Sequence, residues 1–236
     1  MTFLQKHHGQ MSDSMLTAFF IILSGGLQDA YTYCCRGKVF ANAQTGNIVL
    51  LSTHLFEGDW GQALRYLVPV LAFLLGIYIA ECVHRHFKRM EKVHWRQLII
   101  LAEIVLLAAV GFLPETLNVV VALYPIFFAM SIQWSSFGGA RGFYSSTIFS
   151  TNNTKQTSLA LANYLCDHDR AHLRKLKVFA LTLLCFHIGA AAAYFAVTWW
   201  DIRGALAVLP LIAWAFFLSV CERRHEALAE EPETIP

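Results

Sequence analysis

Charge is what this chain has least of: Asp, Glu, Lys and Arg make up 14% of its 236 residues, against about a quarter in soluble domains. Such a shortage does not suit an ordinary water-soluble globule. The six cysteines, at 34, 35, 82, 166, 185 and 221, show no CxxC spacing and imply neither a disulfide framework nor a zinc ribbon. Catalytic signatures are missing as well: HExxH, GxSxG, a Walker A loop and a GxGxxG turn are all absent, so no enzyme, no cofactor and no resident metal is expected. The net charge is only +2 and its Lys and Arg sit in short stretches between apolar blocks, which marks membrane topology and not a nucleic-acid surface.

Apolar residues, by contrast, are abundant. They form 56% of the chain, with 18 Phe and 6 Trp, and the mean hydropathy is +0.48. One soluble core of this length has no use for so much apolar surface, and the surplus is expected to face lipid. The polar start, residues 1–13, runs into a long apolar stretch with no small-residue cleavage site, and reads as a first anchor.

Six stretches have the length and polarity of spans, a helix needing about 20 residues to cross the hydrocarbon. They are 14–34, 66–83, 98–113, 117–134, 178–200 and 204–221. Two further segments, 39–56 and 150–165, open on polar residues and continue into short apolar runs. In the first, Thr45-Gly46-Asn47 leads into Ile48–Leu51; in the second, Thr151-Asn152-Asn153 leads towards Leu159–Ala162. Superposing these triplets sets Phe73-Leu74-Leu75-Gly76 over Cys185-Phe186-His187-Ile188-Gly189, and Gly25-Gly26-Leu27-Gln28 near Ser131-Ile132-Gln133.

The expected fold is therefore an all-α polytopic membrane bundle. It has six spans plus two short polar-led elements, re-entrant or half-helical, in two halves, 1–113 and 114–221, followed by a polar acidic tail, 222–236. Residues 84–96 carry five Lys or Arg and 138–177 carry six, while 113–118 carry none. By the positive-inside rule the first two are cytoplasmic, both termini are inside, and eight full crossings are disfavoured. Three spans per half makes the second half an inverted copy of the first, an arrangement of many channels and transporters whose half-helices meet near the midplane.

Gly26-Leu27-Gln28-Asp29-Ala30, followed by Gln44-Thr45-Gly46-Asn47 and Ile48-Val49-Leu50-Leu51, resembles the GF-x-D-A and M/Q-T-G-N signatures of the YoaK-like family of bacterial multi-span membrane proteins of unknown function. The similarity covers nearly the whole chain. The later triplet departs from the family pattern, with Asn152 where glycine is usual. The resemblance implies a bacterial plasma or inner membrane protein and supplies no substrate.

Candidate residues follow from cost. An acid within a span usually faces a cavity or a partner, so Asp29 is either a proton or cation site, a group that orients the second element, or a cap where the first span ends early. Gln44, Thr45, Gly46 and Asn47, with Thr151, Asn152 and Asn153, supply helix starts; these cap buried turns or receive an anionic or carbonyl-bearing solute. Glu103, Gln133 and His187 lie within other spans, as relay candidates or as interhelical hydrogen-bonding groups. Arg141 reads as an inside-positive anchor. His168 and His172, four residues apart, would share a helical face, but their stretch reads as a solvated loop and no metal is assigned to it. The run Gly189-Ala190-Ala191-Ala192-Ala193 reads as a close-packing stripe. The expected function is a small-solute transporter or channel with a central site at the two half-helix starts, with proton linkage through Asp29 as one option and a non-transporting scaffold or partner-binding protein as the alternative; the expected partners are the lipid bilayer and a small solute of unknown identity.

Overall fold

The computed structural model describes residues 15–87, 95–114, 117, 119–137 and 150–230, and among these the regular secondary structure is all helical. Eight α-helices run α1 (Met15–Cys35), α2 (Gln44–Glu57), α3 (Trp60–Phe87), α4 (Trp95–Gly111), α5 (Val119–Ser136), α6 (Ser150–Asp167), α7 (Arg170–Trp200) and α8 (Leu209–Glu230). A 3₁₀ segment, Asp201–Val208, joins α7 to α8.

Each expected span falls on a helix, with one difference at the last. Residues 201–208 wind as 3₁₀ and α8 begins at Leu209, where Pro210 in the first turn costs no hydrogen bond because that amide has no intrahelical partner. By length and composition, two helical stretches, Trp60–His86 and Arg170–Cys221, qualify to cross a membrane, and Gln97–Gly111 is a shorter apolar helix. Their outward faces are apolar too: Leu71, Leu74 and Leu75 on α3, Leu101 and Val105 on α4, and Leu184, Ile188 and Phe195 on α7 are all exposed. Water penalises such faces and hydrocarbon does not.

Packing pairs α1 with α7, α3 with α5, α4 with α5 and α8, and α1 with α8; α2 lies on α3, and α6 on α7. Helices α1 and α7 run in the same direction. Ala18 and Ile22 near the start of α1 pack on Cys185, while Tyr31 near its end donates its hydroxyl proton to Ile202 O at 2.7 Å. Glycines set the closest crossings: a Cβ on Gly26 would collide with Phe186 O, one on Gly189 with Leu23 O, and one on Gly76 with the Ser131 side chain. The close-packing role expected of Gly189 is thus visible at α1.

Thr151-Asn152-Asn153 lie in the first turn of α6, which begins at Ser150, as Thr45-Gly46-Asn47 lie in the first turn of α2, which begins at Gln44. One local expectation needs correcting. His168 and His172 do not share one helical face: α6 ends at Asp167, His168 takes a positive φ of 51°, and Asp169 caps α7 by accepting from Ala171 N at 2.8 Å. Asp169 is the reason, since its cap starts a new helix between the two imidazoles. Lys88, Arg89, Lys92, Arg141 and the tail beyond 230 lie outside the described residues.

Candidate functional site

The segment between α1 and α2 positions everything else. Gly37 and Lys38 both take positive φ, 80° and 64°, and reverse the chain at the end of α1. It then runs back alongside α1. Ala41 N donates to Thr32 Oγ1 at 3.0 Å, Asn42 N to Asp29 Oδ1 at 2.9 Å, and the Asn42 amide to Gly25 O at 2.8 Å. From Cys35 to Gly25 is roughly 15 Å along a helix axis at about 1.5 Å per residue, about half the hydrocarbon thickness. There α2 begins. With 14 residues it is about 21 Å long, too short to cross, and Gly58 in a left-handed conformation (φ 78°) turns the chain into α3.

An irregular segment at that depth must satisfy its own backbone, and the polar residues singled out in the sequence do this. Asn47, fully buried, accepts from Phe40 N at 3.0 Å and donates to Phe40 O at 2.8 Å. Its amide also donates to Gln44 Oε1, and Gln44 donates to Ala41 O. Gly46 lies against the Phe40 ring, where a Cβ would stand 3.0 Å from the ring edge, and Thr45 is exposed. In the first turn of α2, Gly46 N and Asn47 N both donate to Ala43 O, and Gln44 N donates to Asn42 O. Asp29, half-buried, is therefore the group that orients the second element. It does not cap an early end, since α1 continues to Cys35.

The corresponding triplet on α6 has a similar burial pattern. Thr151 and Asn152 are exposed and Asn153 is buried. Helix α6 packs mainly on α7, as α2 packs on α3.

A second polar group lies deeper, between α1, α4 and α5. Glu103 on α4 is 0% exposed, and its Oε1 receives the Gln28 side-chain amide at 3.5 Å. Gln133 on α5, also fully buried, donates to Ile21 O at 3.0 Å and accepts from Ser24 Oγ at 3.5 Å. Two relay candidates, Glu103 and Gln133, thus converge on one face of α1. His187 does not join them. It is exposed on α7 and its Nδ1 lies 2.7 Å from Leu183 O in its own helix.

Sequence reading singled out neither Gln28 nor Ser24 as a site, although a glutamine beside an acid inside a span was a usable signal. It also passed over Arg36, which is buried at the end of α1 with its Nε donating to Tyr31 Oη at 3.1 Å. Gln28 Oε1, Glu103 Oε2, Asn42 Oδ1 and Arg36 Nη2 have no hydrogen-bond partner among the described residues. Among the described residues, no group of three or more His, Cys, Asp or Glu side chains could hold a metal.

The chain is all-helical among the described residues, with two helical stretches long and apolar enough to cross a membrane, a segment folded back to mid-helix depth and a buried polar cluster. The particular family is shown by a family model that matches residues 17–219 and is described as a protein of unknown function, DUF1275; the chain belongs to this family. No curated protein and no solved structure matches the chain.

Proposed function

We propose that this chain is a bacterial plasma-membrane protein of six spans, with both termini cytoplasmic, that moves a small solute across the bilayer and has no catalytic activity. The observation that carries the proposal is the fold-back of residues 37–43 to the level of Gly25, which starts α2 part-way along α1. Non-helical backbone at such depth is a feature of channels and secondary transporters, where half-helices line the path. The cluster of Ser24, Gln28, Glu103 and Gln133 provides polar side chains at similar depth, where each costs free energy and suggests use.

The inverted repeat belongs to the same proposal. Exchanging α1–α4 with α5–α8 maps the packing pairs onto one another: α1 on α7 becomes α5 on α3, α2 on α3 becomes α6 on α7, and α4 on α5 becomes α8 on α1. The glycines agree, because Gly189 meets α1 where Gly76 meets α5. In the sequence, Gln28 and Arg36-Gly37 recur as Gln133 and Arg141-Gly142 at one constant separation, and Thr45 and Asn47 recur as Thr151 and Asn153 one residue later.

Untargeted comparison of small metabolites in deletion and overexpressing cells is the test. Reciprocal accumulation and depletion of one solute class is expected, and its uptake by proteoliposomes holding only this protein should follow. If no metabolite responds in either strain, the proposal fails. One observation favours a second reading, a non-transporting membrane scaffold: Asp29, Asn42, Gln44 and Asn47 all bond to the fold-back or to its own side chains. A scaffold would leave metabolite levels unchanged and lose a bound protein partner when these residues are altered.

A further inference from the structure

Buried among α1, α4 and α5, the carboxyl of Glu103 and the amide of Gln28 contain more acceptors than the surrounding donors satisfy. The amide donates once to Glu103 Oε1, at a length near the limit for a hydrogen bond. Glu103 Oε2 and Gln28 Oε1 are then both left without a donor among the described residues. Rotating the amide by half a turn exchanges which of its atoms faces the carboxyl but leaves the count unchanged.

Among the described residues, Gln28 is the side chain that acts on the carboxyl, and no cation does. Around α4, Arg36 is the buried cation among the described residues, and at the end of α1 its Nε donates to Tyr31 Oη; further titratable groups are placed as follows. On α1, Asp29 holds Asn42 N, Tyr31 donates to Ile202 O and Cys35 reaches Asp201 O. Tyr124 on α5 is exposed, as are Asp201 and Arg203 on the 3₁₀ segment, and Cys221 on α8 is half-buried. On α3, Arg85 donates to Glu81 at 2.7 Å on the surface and Arg65 is not buried.

One proton resolves the deficit. Placed on Glu103 Oε2, it turns an unpaired buried acceptor into a donor and removes the uncompensated buried charge. A sodium ion does not fit as well, since two free oxygens are fewer than the shell of oxygen ligands a hard cation requires. We propose that Glu103, paired with Gln28, is the proton-binding site of this protein, and that the proton taken up there is the ion coupled to solute movement. The coupling rests on the transport reading above; the proton site does not.

Infrared spectroscopy of the purified protein in lipid, titrated from neutral to alkaline pH, tests the site directly. The carbonyl stretch of a protonated carboxyl is expected in the wild type and in Asp29→Asn, absent in Glu103→Gln, and shifted in frequency in Gln28→Leu, with loss at alkaline pH in the wild type. A band that survives Glu103→Gln, or that responds to sodium and not to pH, overturns the proposal. Glu103→Gln copies the shape and hydrogen bonding of the neutral acid, so it should fold as well as the wild type; failure to fold also counts against a neutral Glu103. In proteoliposomes, Glu103→Gln should retain solute exchange and lose accumulation driven by a pH gradient. A Glu103 band without any solute movement removes the transport reading alone, and solute movement without the band removes the proton site alone.

Discussion

Gly26 and Gly189 form reciprocal halves of one helix crossing: each presents its bare Cα to a carbonyl of the other helix, Gly26 to Phe186 O and Gly189 to Leu23 O. Where lipid removes the hydrophobic drive between helices, such close approach supplies the dispersion contacts that hold them together. Because the obstruction is backbone and not a flexible side chain, even a methyl group forces the helices apart. Gly26→Ala and Gly189→Ala should each lower stability in detergent by at least about 2 kcal/mol, near the upper part of the usual cost of overpacking. Gly61 has open space around it, with only an Asp59 oxygen at 3.6 Å, so Gly61→Ala is the control. Equal melting temperatures for all three variants would show that α1 and α7 are not packed in this way.

Asn47 satisfies both backbone groups of Phe40 with a single side chain. Replacing it with alanine removes both partners of a part-buried N–H and C=O, where leaving a fully buried group unpaired costs about 1–3 kcal/mol. Asn47→Ala should therefore destabilise by about 1–3 kcal/mol, with Asn47→Asp less damaging because it keeps the acceptor for Phe40 N. Denaturant unfolding in mixed micelles ranks the two. A fully tolerated Asn47→Ala contradicts the fold-back at residue 40.

Asp29 acts on Asn42 N through an acceptor oxygen, which asparagine also carries. Asp29→Asn is expected to stay within about 1 kcal/mol of the wild type, and Asp29→Leu to lose about 1–3 kcal/mol as the amide of Asn42 goes unpaired. Thermal stability of the two variants separates this orienting role from a role as the titrating group. Were Asp29→Asn to fold normally and abolish proton-linked uptake while Glu103→Gln had no effect, the titrating group would be Asp29.

Topology is testable without a substrate. With six spans, single cysteines at 88 and 170 in a cysteine-free background should resist a membrane-impermeant maleimide in intact cells and react after permeabilisation. A cysteine at exposed Phe112, in the stretch expected to lie outside, should react in intact cells. Labelling of 88 or 170 from outside reverses the orientation read from the Lys and Arg loops.

The helices were largely legible in the sequence, because apolar runs of span length have few alternatives to helix where every backbone group must be paired internally. The polar opening of 39–56 was legible for the same reason: Asn42, Gln44, Thr45, Gly46 and Asn47 crowd together where an uncharged segment otherwise has no need of them. The start of α6 was legible in the same way, since Thr151, Asn152 and Asn153 lie within its first turn as Thr45, Gly46 and Asn47 lie within that of α2. The roles of Glu103 and His187 were not distinguishable at all. Both are single polar residues within long apolar helices, yet one is completely buried and the other exposed.

What the sequence alone determined is the class of protein: too few charges for a water-facing surface, apolar stretches long enough to span, and a polar signature marking one irregular segment. These are properties of composition and local spacing. Tertiary structure alone decided which way each side chain points. A helix that meets lipid on one side and other helices on the opposite side is apolar all round, so the periodicity that reveals the inner face of a soluble helix is missing. Only when α1, α4 and α5 come together do Gln28, Glu103 and Gln133 become neighbours, and only the return of the chain along α1 turns Asp29 from an isolated acid into the anchor of α2.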